Sequence, residues 1–227
     1  MSLEQAALKN HVQRLVEALG SEHLAVADAW VKLGLSQLEN GSAHDAEHCF
    51  RKALTVRLVS VDAGDETIAH IHYYLGRCSF EQGDYRAAEA SYQECLDIYD
   101  RECHPEDAFL ATVLDSFASL NHDRDRFEMA ESMLKRSLFI RLCVLEPFDV
   151  DIAESLNHLG WLYSQMGDFG RAENLFLCAL DIWITNFGME HATIAMCLEN
   201  YAFVLEKTGR RKEACRVLTR VDLIRST

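Results

Sequence analysis

The chain has 227 residues, 49% hydrophobic and 26% charged, and its 36 acidic against 22 basic residues leave a formal net charge of −14. That balance denies nucleic-acid phosphates the basic footprint they require, and it is repelled by an anionic membrane surface. No apolar run reaches the ~20 residues that cross a bilayer, and the start, Met1-Ser2-Leu3-Glu4-Gln5, lacks the basic and apolar regions of a secretory signal.

A shift of 42 residues lays the sequence on itself. Gly34, Gly76 and Gly160 share a column with Ala118 and Ala202. Ala46, Ala88, Ala130, Ala172 and Ala214 form a second column, and Ala27, Ala69, Ala111, Ala153 and Ala195 a third. A period of this size marks units that cannot bury their own apolar faces and must stack on their neighbours. Eight cysteines (49, 78, 95, 103, 143, 178, 197, 215) occur without a CxxC pair. Cys95 shares its column with Ala53, Ser137 and Ala179, so these thiols read as small core groups of a reducing, cytoplasmic compartment, not as a disulfide framework.

In chain order, residues 3–19 align with the second helix of a unit, and Gly20-Ser21-Glu22-His23 aligns with the connector after it. Helix pairs then begin near residues 26, 68, 110, 152 and 194. The expected organisation is one continuous array: a half repeat (3–25), then repeats 26–67, 68–109, 110–151, 152–193 and 194–227. In the second repeat, the first helix runs from Ile68 to Gln82. Gly83 stops it in the left-handed conformation of a helix C-terminus, Asp84 caps the next helix, and Ala88, Tyr92, Cys95, Leu96 and Tyr99 form that helix's apolar stripe. The same turn recurs at Gly41-Ser42, Gly167-Asp168 and Gly209-Arg210. In the third repeat Asp125-Arg126 takes it, since Asp tolerates the left-handed region better than most residues. Thr67, Asp151 and Thr193 stand where a capping side chain precedes a first helix, and Asp151 with Glu154 spells a variant capping box.

The motifs Trp30-x2-Leu33-Gly34, Ala46-x3-Phe50-x2-Ala53, Leu75-Gly76, Ala88-x3-Tyr92 and Ala172-x3-Phe176-x2-Ala179 resemble the tetratricopeptide repeat. The period exceeds that family's usual 34. Together with Asp151-Ile-Ala-Glu-Ser-Leu-Asn-His-Leu-Gly160 and the His104-Pro105 connector, it is similar to the kinesin light chain subfamily over nearly the whole chain. The resemblance implies an all-α, right-handed superhelix of five helix pairs plus the N-terminal half repeat. It also implies that the first helix of each pair lines the inner, concave surface.

His44-Asp45-Ala46-Glu47-His48 spells the H-x-x-E-H order of one zinc-protease class. Two histidines four apart on a helix could ligate zinc with Glu47 as base. However, Ala46 belongs to a repeat column, and Glu47 recurs as Glu89, Glu131 and Glu173, which leaves only the two histidines special to this unit. His70, His72, His122, His158 and His191 form no ligand set, no glycine-rich phosphate loop occurs, and no cofactor is expected. The reading is non-catalytic, with a metal-binding protein or hydrolase using His44 and His48 as the alternative.

Carried over by column, the resemblance places Tyr73, Arg77, Phe80, Asp115, His122, Glu154, Asn157, Trp161, Glu199 and Phe203 on the partner-binding surface. Tyr73, Phe80, Trp161 and Phe203 suit peptide anchors. Asn157 matches the asparagine with which kinesin-light-chain-type grooves hold peptide backbone, whereas the equivalent columns hold Val31, Tyr73, Asp115 and Glu199. Acids dominate the lining, so the expected partner is a protein or peptide with basic and aromatic residues. From Glu206 onward seven Lys/Arg face three acids, which leaves self-association through the terminal helices as a further alternative.

Overall fold

The computed structural model describes residues 3–60, 65–102 and 107–226. These form eleven α-helices and, among the described residues, no strand. They divide into two compact units, Met1–Pro105 and Glu106–Thr227. Cys103 and the His104-Pro105 connector lie outside the described residues.

The first unit contains α1 (Leu3–Leu19), α2 (Leu24–Glu39), α3 (Ala43–Ser60), α4 (Glu66–Glu81) and α5 (Tyr85–Glu102). The second contains α6 (Ala108–His122), α7 (Phe127–Val144), α8 (Val150–Gln165), α9 (Phe169–Phe187), α10 (Ala192–Lys207) and α11 (Arg211–Ser226). Each expected pair is present: α2 packs on α3, α4 on α5, α6 on α7, α8 on α9 and α10 on α11. Within each unit the pairs stack through α1/α2, α3/α4, α7/α8 and α9/α10.

The turns follow the sequence columns. Gly41, Gly83, Gly167 and Gly209 take positive φ, and so does Asp125, at 57°. At each turn a backbone N–H one residue further on reaches back over the helix end. Ser42, Asp84, Arg126, Asp168 and Arg210 donate to the carbonyls of Gln37, Ser79, Asn121, Tyr163 and Leu205, at 2.8–2.9 Å. This double closure satisfies carbonyls that a helix end otherwise leaves without partners. Asp84 caps α5 as expected, its Oδ1 accepting from the Ala87 N–H at 3.0 Å.

The first helices start two residues earlier than the periodicity suggested, and their caps move with them. Asp65, Asp107 and Asp149 accept from the N–H two residues on through Oδ1, and His23 and His191 do so through Nδ1. Thr67, Asp151 and Thr193 therefore sit inside the first turn. The Asp151–Glu154 capping box does not form, because the Asp151 N–H is itself the group being capped.

Both alanine columns are buried to within 1%, and the glycine column explains the closest approach within a pair. A Cβ placed on Gly34, Gly76 or Gly160 would lie 2.8, 2.6 or 2.9 Å from the rings of Phe50, Tyr92 and Phe176 respectively. The recurring glutamate of the second helices has a structural task. Glu47 accepts from Gln82 in the next pair at 2.8 Å, Glu131 from the Tyr163 hydroxyl at 2.8 Å, and Glu173 from Tyr201 at 3.1 Å and Arg210 at 2.7 Å. At these three positions the column ties a pair to the one that follows it in the same unit.

Candidate functional site

In the second unit α8 touches both α6 and α10, so these first helices share one face. Trp161 stands out on it, 38% exposed. Its ring lies 6.1 Å from that of Phe203 at 51°, and the Lys207 ammonium sits 5.2 Å from the Phe203 ring. These residues recur in register along α8 and α10, which is why two large aromatic groups meet at the surface instead of in the core. Asn157 is mostly buried beside them, its Oδ1 accepting from Asn200 Nδ2 at 3.2 Å. Its amide is therefore partly committed within the fold.

The acids on this face are less free than the sequence implied. The buried Arg141 of α7 reaches Asp115 at 2.6 Å and also donates to Ser155 Oγ. Arg225 of α11 reaches Glu199 at 2.8 Å. His158 stands 4.0 Å from Asp115, and His122 lies 3.3 Å from Asp123. Among the described residues Glu154 has no such partner, and partial burial, with the neighbouring Asp151 carboxylate, pushes its carboxyl above the usual range.

In the first unit α4 presents Arg77 and Phe80 half-buried. Arg77 pairs with Glu81 at 3.7 Å, and Phe80 packs 5.8 Å from the ring of Tyr85. Tyr73 differs from expectation. It is only 5% exposed, its ring held 5.1 Å from Tyr74 and 6.1 Å from Tyr92, so it is committed to the core of the α4/α5 pair and offers a partner little surface.

One set of residues escaped the sequence reading. Arg57, Tyr99, Arg141, Trp183 and Arg225 occupy a single column of the second helices. Four of them reach polar residues on the first helix of their own pair. Arg57 bonds Asp28, Tyr99 meets His70 at 3.1 Å, and Arg141 and Arg225 hold Asp115 and Glu199. Only Trp183 is spent on packing. The 42-residue spacing of this column was the available signal, but attention to first helices alone hides it.

Two cavities open beside these elements. One of about 250 Å³ lies between α6 and α8 with α7 beneath, lined by Ala118, Ser119, His122, Leu134, His158 and Trp161 among others. The other, of about 710 Å³, lies among α1, α2 and α3 and is lined in part by Val12, Trp30, Leu33, His48 and Lys52. The zinc-like motif borders the second cavity but does not build a metal centre. His44 and His48 are both exposed, Glu47 is engaged by Arg51 and Gln82, and the described residues contain no group of three or more His, Cys, Asp or Glu able to hold an ion.

The sequence matches the tetratricopeptide repeat family over residues 67–142 and 151–221, and again over 31–102. The chain belongs to the tetratricopeptide repeat family, whose members are typically non-catalytic scaffolds for protein or peptide partners. The fold matches BtubC (BKLC) from P. vanneervenii with a TM-score of 0.83 at 21% identity, covering 98% of this chain and 89% of that one. It also matches the nearly identical kinesin light chain TPR-like repeats of Podospora anserina at TM-score 0.77 and 16% identity, covering 90% and 97%. At these identities the likeness is one of fold. Among curated sequences, nephrocystin-3 of Xenopus tropicalis is 33% identical over 89 residues, 38% of this chain, and human nephrocystin-3 is 31% identical over 109 residues, 47% of this chain. The matched segments span 7% and 8% of those proteins. No helix among the described residues is long and apolar enough to cross a membrane.

Proposed function

We propose that this chain is a non-catalytic, cytoplasmic scaffold that holds a protein or peptide partner on first-helix surfaces, chiefly the α6/α8/α10 face of the second unit. The observation that carries this reading is the Trp161–Phe203 pair, Trp161 exposed and Phe203 half-buried, with Lys207 over it. Large aromatic groups at a protein surface are the side chains that most often anchor a partner, and a cluster of them on one face is seldom left to solvent. Phe80 and Arg77 on α4 extend the candidate set in the first unit. Tyr73, Asp115 and Asn157 act behind the surface, holding its shape, while Glu199 lies at the surface paired with Arg225. Glu154 and Asp123 remain to attract a basic partner, chiefly by steering. The seven described cysteines are all free thiols, which supports a reducing compartment.

The test is a peptide selected from a random displayed library against the intact chain, with its Kd then measured by titration calorimetry. Trp161→Ala and Phe203→Ala are each expected to weaken it by at least tenfold, the range of an interface anchor of about 2 kcal/mol. Phe139→Ala, at an exposed position of α7, should stay within twofold. Equal affinities for all three variants would remove the face from consideration.

A further inference from the structure

The cavity beside Trp161 has a cause in the sequence. In three pairs a first-helix glycine lies against a second-helix ring, as Gly34 against Phe50, Gly76 against Tyr92 and Gly160 against Phe176. In the α6/α7 pair the same columns hold Ala118 and Leu134, and in the α10/α11 pair Ala202 and Leu218. Leu134 is shorter than the rings at the equivalent positions, and it lines the cavity. The exposed column on that face holds Ser119, where α8 and α10 carry Trp161 and Phe203. The space of about 250 Å³ opens beside these small side chains. Its floor is buried and wholly apolar: Ala118, Ala130, Leu134 and Leu162. Its rim is polar and accessible, with Ser119, His122, Asp123 and His158, and Trp161 forms one wall.

We propose that this cavity is a socket for one aromatic side chain of the partner, a phenylalanine flanked by Lys or Arg. The proposal rests on reading the α6/α8/α10 face as the partner surface. A side chain enters tip first, so the tip must suit an aliphatic floor that offers no hydrogen-bond acceptor. A Lys or Arg head there would be desolvated without a partner. A ring has what the floor requires, and it occupies the place that Phe50, Tyr92 and Phe176 fill from within in three other pairs. Trp161, in the wall, offers a ring against which an aromatic side chain packs offset or edge to face. The rim groups can bond the main chain on either side of the ring. Asp123 at the mouth, and Glu154 one turn before His158 on α8, favour cationic neighbours to that ring.

The probe is the peptide acetyl-Gly-Lys-(4-fluorophenylalanine)-Lys-Gly-amide, titrated with the intact chain and followed by fluorine NMR. The expected result is a saturable shift, with intermolecular NOEs from the peptide ring to the methyl groups of Leu134. Replacing the ring residue by Ala or by Lys should weaken binding at least tenfold. So should the variant Ala118→Gly/Leu134→Phe, which restores the pairing used elsewhere in the chain and should keep the thermal midpoint. The NOE measurement needs no variant and decides the matter if the double substitution does not fold. Absence of a saturable shift, NOEs to other residues, an equally tight Lys peptide, or a folded filled variant with unchanged affinity each overturns the socket. If Trp161→Ala weakens a library-selected peptide while the filled variant does not, the face stands and the socket falls. If neither matters, both fall.

Discussion

Gly76→Ala isolates the contact that sets the spacing of α4 and α5. The added methyl would lie 2.6 Å from both Cδ1 and Cε1 of Tyr92 and 3.2 Å from its Cγ, against the ~3.5–4.0 Å at which carbon atoms rest. The ring has little room to retreat, being 1% exposed with the Tyr73 ring 6.1 Å away. Overpacking of this kind costs about 1–3 kcal/mol, and a clash near 1 Å deep against a buried ring belongs at the upper end. Alanine returns up to about 1 kcal/mol of helix propensity, which leaves a net loss of about 1–2 kcal/mol. At ~2–4 °C per kcal/mol for a chain of this size, the thermal midpoint should fall by roughly 2–8 °C. Gly170→Ala in the first turn of α9 is the control, because its methyl meets only Asp168 Oδ1, at 4.0 Å, and should stabilise by a few tenths of a kcal/mol. Adding Tyr92→Leu to Gly76→Ala reproduces the Ala118–Leu134 pair and should relieve the strain. Calorimetry and urea unfolding of the four proteins measure these differences. The packing account fails if Gly76→Ala is as stable as the parent, since propensity would then outweigh the ring contact.

Arg141→Ala should lose about 3–5 kcal/mol by stranding the buried Asp115 carboxylate, whereas Arg225→Ala, at an exposed pair with Glu199, should lose less than about 1 kcal/mol; matched urea titrations read both. Asp125→Gly should stabilise by roughly 0.5–1 kcal/mol, because it relieves the one positive φ among described non-glycine residues, while Asp125→Val should do the reverse. Alkylation by iodoacetamide should separate the thiols. Burial pushes the Cys49 thiol up to about 11 and Cys78, Cys95 and Cys197 up to about 12, so these should stay unmodified at pH 8 in the folded chain while the exposed Cys143, Cys178 and Cys215 react. Peptide mass mapping that finds Cys95 or Cys197 alkylated as fast as Cys178 would contradict the packing of these pairs.

Much of the fold was legible because the repeat puts the same steric demand at the same column. Gly83 and Asp125 announce the left-handed turn by what they tolerate, and Ala88 and Ala130 mark where two helices come too close for anything larger. The helix starts were misplaced by two residues because Asp and His both served as caps. The column His23, Asp65, Asp107, Asp149, His191 does not look uniform until one sees that Nδ1 and Oδ1 take the same N–H. The candidate site was legible only in part. Trp161 and Phe203 declared themselves as large groups in an exposed column. Tyr73, in the column that also holds Asn157, turned into the core because Tyr74 and Tyr92 surround it. Arg141 was missed because it works through the gap between first helices from behind. No single-residue pattern reports the cavity at Ala118 and Leu134, since it lies where these two residues and Ser119 meet in space.

The three tryptophans sit in three different settings, which gives the central claim one direct measurement. Trp161 is exposed on the α6/α8/α10 face, Trp30 borders the larger cavity among α1, α2 and α3, and Trp183 is buried in α9. Their indole N–H resonances, assigned by single substitutions in the intact chain, can be followed as a library-selected peptide is added. The scaffold reading predicts that the Trp161 resonance moves in a saturable way while those of Trp30 and Trp183 stay in place. Movement of the Trp30 resonance with Trp161 unmoved would shift the binding surface to the α1/α2/α3 cavity and contradict the account.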